Sequence, residues 1–222
     1  MIETKRFEGI VLAAGYSMRM NSWKPEIRIN KVPIIVRTLI PMLEVCEKVV
    51  LVGGYNFEDL KSLIEKSTDL TILQKEKVYL TENKVFMEGM LSSIKCGLKN
   101  ISAQTEGIFL IPGDMPFVQI NTYKKLTDCF GKGEGSEVII PLTLFKNGGV
   151  NGKARLQRGH PVLLNAALID KILQADENAA LRDILKNFNQ KFCYVEDKGI
   201  CFDIDDNSDL QNANIYFESL TN

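Results

Sequence analysis

The stretch "GIVLAAGYSMRMNSWKP", Gly9–Pro25, runs an apolar strand straight into two alanines, a glycine, a serine, an arginine and a lysine. Gly9–Ala13 is a near-continuous apolar run, the pattern of a strand covered on both faces. Ala13, Ala14 and Gly15 keep side chains short where the strand ends, so the backbone can come close to a ligand. Successive N–H groups in such a bend form an anion-binding concavity. Arg19 adds a planar fork suited to phosphate oxygens, and Lys24 adds a compact point charge. An ordinary glycine turn with two solvated cations satisfies the same letters. GxxxxGK[ST] and GxGxxG are both absent, which excludes a Walker loop and a dinucleotide fingerprint.

Outward from that stretch, strand-length runs recur at Val49–Val52, Leu70–Leu73, Gly107–Ile111, Val138–Pro141, Pro161–Leu164, Phe192–Val195 and Ile200–Ile204. Amphipathic stretches lie between them. One helix begins at Pro33, with Ile34, Ile35, Leu39, Met42 and Leu43 at helical spacing and Pro41 expected to kink it. Others are expected at Asn56–Lys66 with Asn56 as N-cap, Met87–Leu98, Thr122–Phe130, Ala166–Gln174, Ala179–Phe188 and Ser208–Leu220. Strand–helix alternation predicts an α/β fold: three layers, a mostly parallel twisted sheet with helices on both faces. Ligands of such sheets sit at the carboxyl ends of the strands. "FKNGGVNGKARLQRGHP", Phe145–Pro161, reads as a mobile loop.

The 222 residues suit a single domain over 1–222, with 45% apolar and 25% charged residues. A net charge of −1 gives no basic field for nucleic acid. No apolar run approaches the roughly 18 residues that cross a membrane. Without a leader pattern, the expectation is a cytoplasmic protein. Five scattered cysteines with no CxxC read as free thiols, and the single histidine, His160, excludes most histidine-based zinc sites.

Four further stretches carry polar groups at element ends. In "FLIPGDMPFV", Phe109–Val118, Asp114 emerges at a strand's carboxyl edge between two prolines. It suits Mg²⁺, and equally the capping of a turn. "CFDIDDNSDL", Cys201–Leu210, crowds Asp203, Asp205 and Asp206, which repel one another unless a cation or solvent compensates. In "TENKVFMEGMLSSIKCGL", Thr81–Leu98, Asn83 can read a base edge and Gly89 lets a ribose or base approach. The same letters make a plain amphipathic helix. Arg158-Gly159-His160-Pro161 holds a histidine of the kind that is more often structural than catalytic.

"LAAGYSMRMNSWK" resembles the LAAGxSxRMGxxK signature of the MobA/MocA-like nucleotidyltransferases, through Leu12, Ala13, Ala14, Gly15, Ser17, Arg19, Met20 and Lys24, with Asn21 in place of glycine. Asp114-Met115-Pro116 resembles that family's D-x-P element, "DIDDNSDL" from Asp203 its closing motif, and "ADENAALRDIL" from Ala175 its GDxG–LRxLL stretch. The resemblance implies a Rossmann-like nucleotide-diphospho-sugar transferase fold. It implies transfer of CMP or GMP from the triphosphate to molybdopterin, with release of pyrophosphate. By it Leu12–Gly15, Ser17 and Arg19 grip the phosphates, and Lys24 serves the α-phosphate. Asp114 and Asp205 hold Mg²⁺ or Mn²⁺. Asn83, Gly89 and Ser93 seat the nucleoside, while Arg158, His160 and Asp176 border the acceptor. Ala14 favours CTP over GTP. A molybdenum hydroxylase or its chaperone is the implied protein partner. Another phosphorylated acceptor, such as a sugar phosphate, and a catalytically silent nucleotide-binding maturation factor stay open as alternatives.

Overall fold

The computed structural model describes residues 5–16, 22–131, 135, 137–146 and 154–221. Its strands are β1 (Phe7–Ala13), β2 (Arg28–Ile29), β3 (Val32–Pro33), β4 (Lys48–Gly53), β5 (Val78–Glu82), β6 (Gly107–Pro112), β7 (Val138–Lys146), β8 (Ala154–Arg158), β9 (Val162–Asn165) and β10 (Gln190–Tyr194). The apolar run that opens the chain becomes the centre of the main sheet. β1 pairs in parallel with β4 on one side and β6 on the other. The order of the main sheet is β10-β7-β9-β6-β1-β4-β5, with β8 added on β7 and its antiparallel pairing around β9 and β8, while β2 and β3 form a separate antiparallel pair.

Side chains of β1 alternate between two cores, as the pleat requires. Val11 joins Phe109, Tyr123 and Leu39 beneath α1 (Ile34–Leu43), α2 (Phe57–Lys66) and α5 (Ile120–Gly131). Ile10 joins Val50, Ile94 and Ile172 beneath α4 (Met90–Leu98), α6 (Ile169–Leu173) and α7 (Leu181–Leu185). A third cluster seats α8 (Asn207–Thr221) through Ala213 on Ile29, Ile34, Phe117 and Ile204. Phe109 is fully buried and stacks edge-on against Tyr123 at 5.1 Å. Phe109→Ala is expected to lower stability by about 3–5 kcal/mol, read as an earlier midpoint in urea unfolding.

Several expectations are corrected. Leu70–Leu73 is not a strand. Thr71 caps α3 (Ile72–Glu76) in a reciprocal box with Gln74, leaving Ile72 and Leu73 exposed. The strand follows as β5. Ile200–Ile204 is not a strand either: the Asp197 carboxylate accepts the Gly199 N–H and starts a 3₁₀ turn over Lys198–Cys201. Part of the expected loop Phe145–Pro161 is a β7–β8 hairpin, with residues 147–153, Lys153 among them, outside the described residues. Pro41 lies within α1, near its end, and the helix continues to Leu43. Asn56 precedes α2 with φ 55° and makes no side-chain cap. Cys129 and Cys193 are joined as a disulfide between α5 and β10, 64 residues apart, while Cys46, Cys96 and Cys201 are free. No described helix is long and apolar enough to cross a membrane.

Candidate active site

The carboxyl ends of β1 and β6 carry the site. The Gly113 N–H donates to the Leu12 carbonyl at 2.8 Å, closing the two strand ends together. A Cβ on Gly113 would stand 2.9 Å from Ile35 Cδ1 and 3.0 Å from the Leu12 carbonyl oxygen, so the close approach needs glycine. Thr38 Oγ1 fixes the same turn by donating to the Gly113 carbonyl at 3.2 Å. Asp114 is thereby held just beyond β6, with Met115, Phe117 and Val118 buried behind it.

Asp205 arrives from the far end of the chain. Ile204, fully buried, donates its N–H to the Asp114 carbonyl at 3.1 Å, which sets the following residue beside Asp114. α8 begins on a reciprocal cap: Asp206 Oδ1 accepts the Asp209 N–H at 3.0 Å, and Asp209 Oδ2 accepts the N–H groups of Asp205 and Asp206. Expected at Ser208, the helix therefore starts one residue earlier, at Asn207, with Asp206 as its cap, and Asp205 is fixed from both sides.

Lys24 opens a 3₁₀ turn, Lys24–Glu26, anchored by buried Pro25. Its ammonium donates to Asp114 Oδ2 at 3.1 Å and to Asp205 Oδ1 at 2.8 Å, with the lysine side chain only 14% exposed. Burial alone would lower the lysine pKa. Bonds and charge from Asp205 and Asp114 outweigh it and raise the value, so the group is cationic at neutral pH. Burial pushes the Asp203 carboxyl above its usual range, with added repulsion from Asp114, Asp205 and Asp209. Leu12, Ala13, Gly15, Lys24, Pro25, Gly113 and Asp114 line a cavity of about 120 Å³. A larger hollow of about 570 Å³, by Thr105 and Phe130 at the amino ends of the strands, lies away from this cluster.

Asp114 Oδ1 is buried and has no hydrogen-bond partner among the described residues. A buried carboxylate oxygen left without a donor favours a cation. No set of three or more acidic, histidine or cysteine side chains gathers among the described residues. Two carboxylates completed by phosphates and water are the usual Mg²⁺ arrangement, so these residues fit such an ion.

The remaining expected residues divide. Ser17 and Arg19 lie outside the described residues, as do Met20 and Asn21. The Ala14 carbonyl accepts the Tyr55 N–H, tying the loop after β1 to that after β4. Asn83 is 3% exposed, and its amide nitrogen donates to Ser92 Oγ and Ser93 Oγ at 2.8 and 3.0 Å. Its Oδ1 accepts the Val85 N–H, so Asn83 joins the loop after β5 to the first turn of α4. Gly89, at φ 107°, opens α4 with clear space above it.

Arg158 lays its guanidinium over the Phe192 ring at 4.5 Å. The His160 N–H donates to the Ile200 carbonyl, and its Nδ1 is buried without a partner. Burial lowers its pKa, opposed by a hydrogen bond to the Leu110 backbone and by the charges of Asp114 and Asp203. Asp176 is exposed, and its Oδ1 closes a turn by accepting the Asn178 N–H at 2.8 Å.

An aromatic shelf escaped the reading of the sequence. Tyr16 lies 4.8 Å from Tyr55 and 5.0 Å from Phe86, ring centre to centre, and its hydroxyl donates to Met87 Sδ at 3.5 Å. Three separate strand ends supply these rings. The only signal was an aromatic directly after Gly15 and another after Gly54.

The chain is similar to known proteins over most of its length. The chain is 26% identical over 204 residues to the molybdenum cofactor cytidylyltransferase of Escherichia coli strain K12, spanning 92% of this chain and 93% of that protein. Its fold matches 4-diphosphocytidyl-2C-methyl-D-erythritol synthase from Anaerococcus prevotii with a TM-score of 0.69 at 17% identity, covering 98% of both chains. It also matches Rv0371c of Mycobacterium tuberculosis, solved in complex with manganese, with a TM-score of 0.68 at 16% identity over 95% of this chain and 99% of the other. Residues 9–192 match the MobA-like NTP transferase domain. The chain belongs to that family and is an enzyme of the nucleotidyltransferase type.

Proposed function

We propose that this protein transfers a nucleoside monophosphate, CMP from CTP, to the phosphate of a molybdopterin-type acceptor in the cytoplasm. The observation that carries the proposal is the convergence of Lys24, Asp114 and Asp205 on one point beside Gly15. An acceptor phosphate oxygen forms a bond to the α-phosphorus, the bond from that phosphorus to the bridging oxygen breaks, and pyrophosphate leaves. Both partners are anionic, so positioning and charge neutralisation carry the rate.

Backbone N–H groups around Gly15 face the phosphates, with Ser17 and Arg19 assigned to the same loop. Lys24 meets the charge that accumulates on the α-phosphoryl oxygens. Asp114 and Asp205 are the residues that would hold Mg²⁺ or Mn²⁺. A divalent ion held there would supply neutralisation of the phosphate charge. Gly89 and the Tyr16 shelf flank the nucleoside, and His160 and Arg158 border the acceptor. No side chain is required as a nucleophile. The E. coli relative's cytidylyl transfer supports CTP and molybdopterin as the first pair to try.

The test is pyrophosphate release with Mg²⁺, CTP, GTP, ATP or UTP, and either molybdopterin or a panel of sugar phosphates. Release that needs CTP and molybdopterin together is expected; release only with a sugar phosphate reassigns the acceptor. Tyr16→Ala is expected to raise KM for CTP about tenfold, since base–aromatic stacking is worth about 1–3 kcal/mol, with kcat little changed. Tyr16→Phe should keep the wild-type KM in the same steady-state assay.

A further inference from the structure

We propose that, before nucleotide binds, Lys24 stands between Asp114 and Asp205 as a built-in cation, so that the site rejects a free divalent ion and accepts one only as the chelate of a polyphosphate. The inference rests on the reading of Asp114 and Asp205 as the metal-holding pair. Lys24 Nζ lies 3.1 Å from Asp114 Oδ2 and 2.8 Å from Asp205 Oδ1, drawing together acids 90 and 181 residues away in sequence. Those oxygens are the ones that a shared ion would need. The ammonium is a compact charge with three donors, so it serves both carboxylates at once.

A divalent ion entering with the lysine in place would meet a like charge at contact distance and carboxylate lone pairs already engaged. A polyphosphate changes that balance. It offers Lys24 an anion of its own, and the four-carbon stem lets the ammonium swing while the Lys24–Glu26 turn and buried Pro25 hold the backbone still. Asp114 Oδ1, buried and without a partner among the described residues, stays available for the incoming ion. Lysine departure and metal entry then become one exchange, and the free enzyme keeps its acids neutralised.

Mn²⁺ binding to nucleotide-free protein, followed by the loss of the free-ion paramagnetic signal, tests this without turnover. Lys24→Met is expected to bind Mn²⁺ at least about tenfold more tightly than the wild type, because the variant removes a like charge juxtaposed to the ion. Lys24→Gln, which keeps a polar head, should move the same way. The gain should vanish when Asp114→Asn is added, which places the ion between the acids. Equal or weaker Mn²⁺ binding in folded Lys24→Met and Lys24→Gln proteins overturns the proposal. A calorimetric titration of wild type and Asp114→Asn with Mn²⁺–CTP separates the two levels. Asp114-dependent binding of the chelate, with no gain on removing the lysine, defeats the exchange alone. Chelate binding indifferent to Asp114 defeats the metal site beneath it, and the proposal with it.

Discussion

Asp114→Asn lowers kcat for nucleotidyl transfer by about 10²–10³-fold, the scale on which loss of one preorganised electrostatic group is felt, and leaves the fold intact. Two facts make the effect large. Asp114 emerges from a turn that Gly113 pins against Leu12, so neighbouring side chains have little freedom to replace it. Its Oδ1 has no donor among the described residues, and its Oδ2 holds the Lys24 ammonium. The amide keeps the shape and removes the charge, which separates chemistry from packing. Asp205→Asn is expected to follow, because Asp205 shares the same lysine at 2.8 Å. Steady-state kinetics with circular dichroism on each variant checks both. Turnover within a few-fold of wild type in either folded variant contradicts the role assigned to it.

Lys24→Met is the second large effect, again about 10²–10³-fold in kcat, with KM for CTP changed much less. The split follows from where the lysine acts. An interaction that strengthens as charge builds on the α-phosphoryl oxygens lowers the barrier without tightening the ground state. The same variant gains affinity for free Mn²⁺, so the lysine's two effects run in opposite directions. A residue that only braced the loop would lose both. Lys24→Arg should rescue little, because a planar fork does not fit between two carboxylates that a point charge now bridges. Rapid-quench measurement of the transfer step in Lys24→Met and Lys24→Arg decides it.

The parts of the molecule that followed from sequence share a physical reason. Leu12–Gly15 and Asp114 sit at strand ends because buried parallel strands are written as unbroken apolar runs, and such runs mark where the ligand edge begins. Asp205 was legible as an acid near a helix start, although its cap is Asp206. Misreadings came from composition outvoted by local hydrogen bonds or by packing. Leu70–Leu73 has the residues of a strand, yet the Thr71–Gln74 box turns it into a helix. Apolar alternation at Ile200–Ile204 reflects burial beneath α8 and α5, not pairing with a neighbour. An asparagine's letter carries no direction, so the hydrogen bonds from Asn83 to Ser92 and Ser93 were not legible in the sequence. The Tyr16–Tyr55–Phe86 shelf depends on three loops meeting, which no local pattern encodes.

The fate of the α-phosphorus tests the central claim most directly. With α-labelled CTP, molybdopterin and Mg²⁺, the label should pass into the acceptor adduct and none into pyrophosphate, with Asp114→Asn and Lys24→Met forming no adduct on the same timescale. Label left in free CDP or CMP, or a γ-phosphate found on the acceptor, would mean that these three residues serve a different reaction.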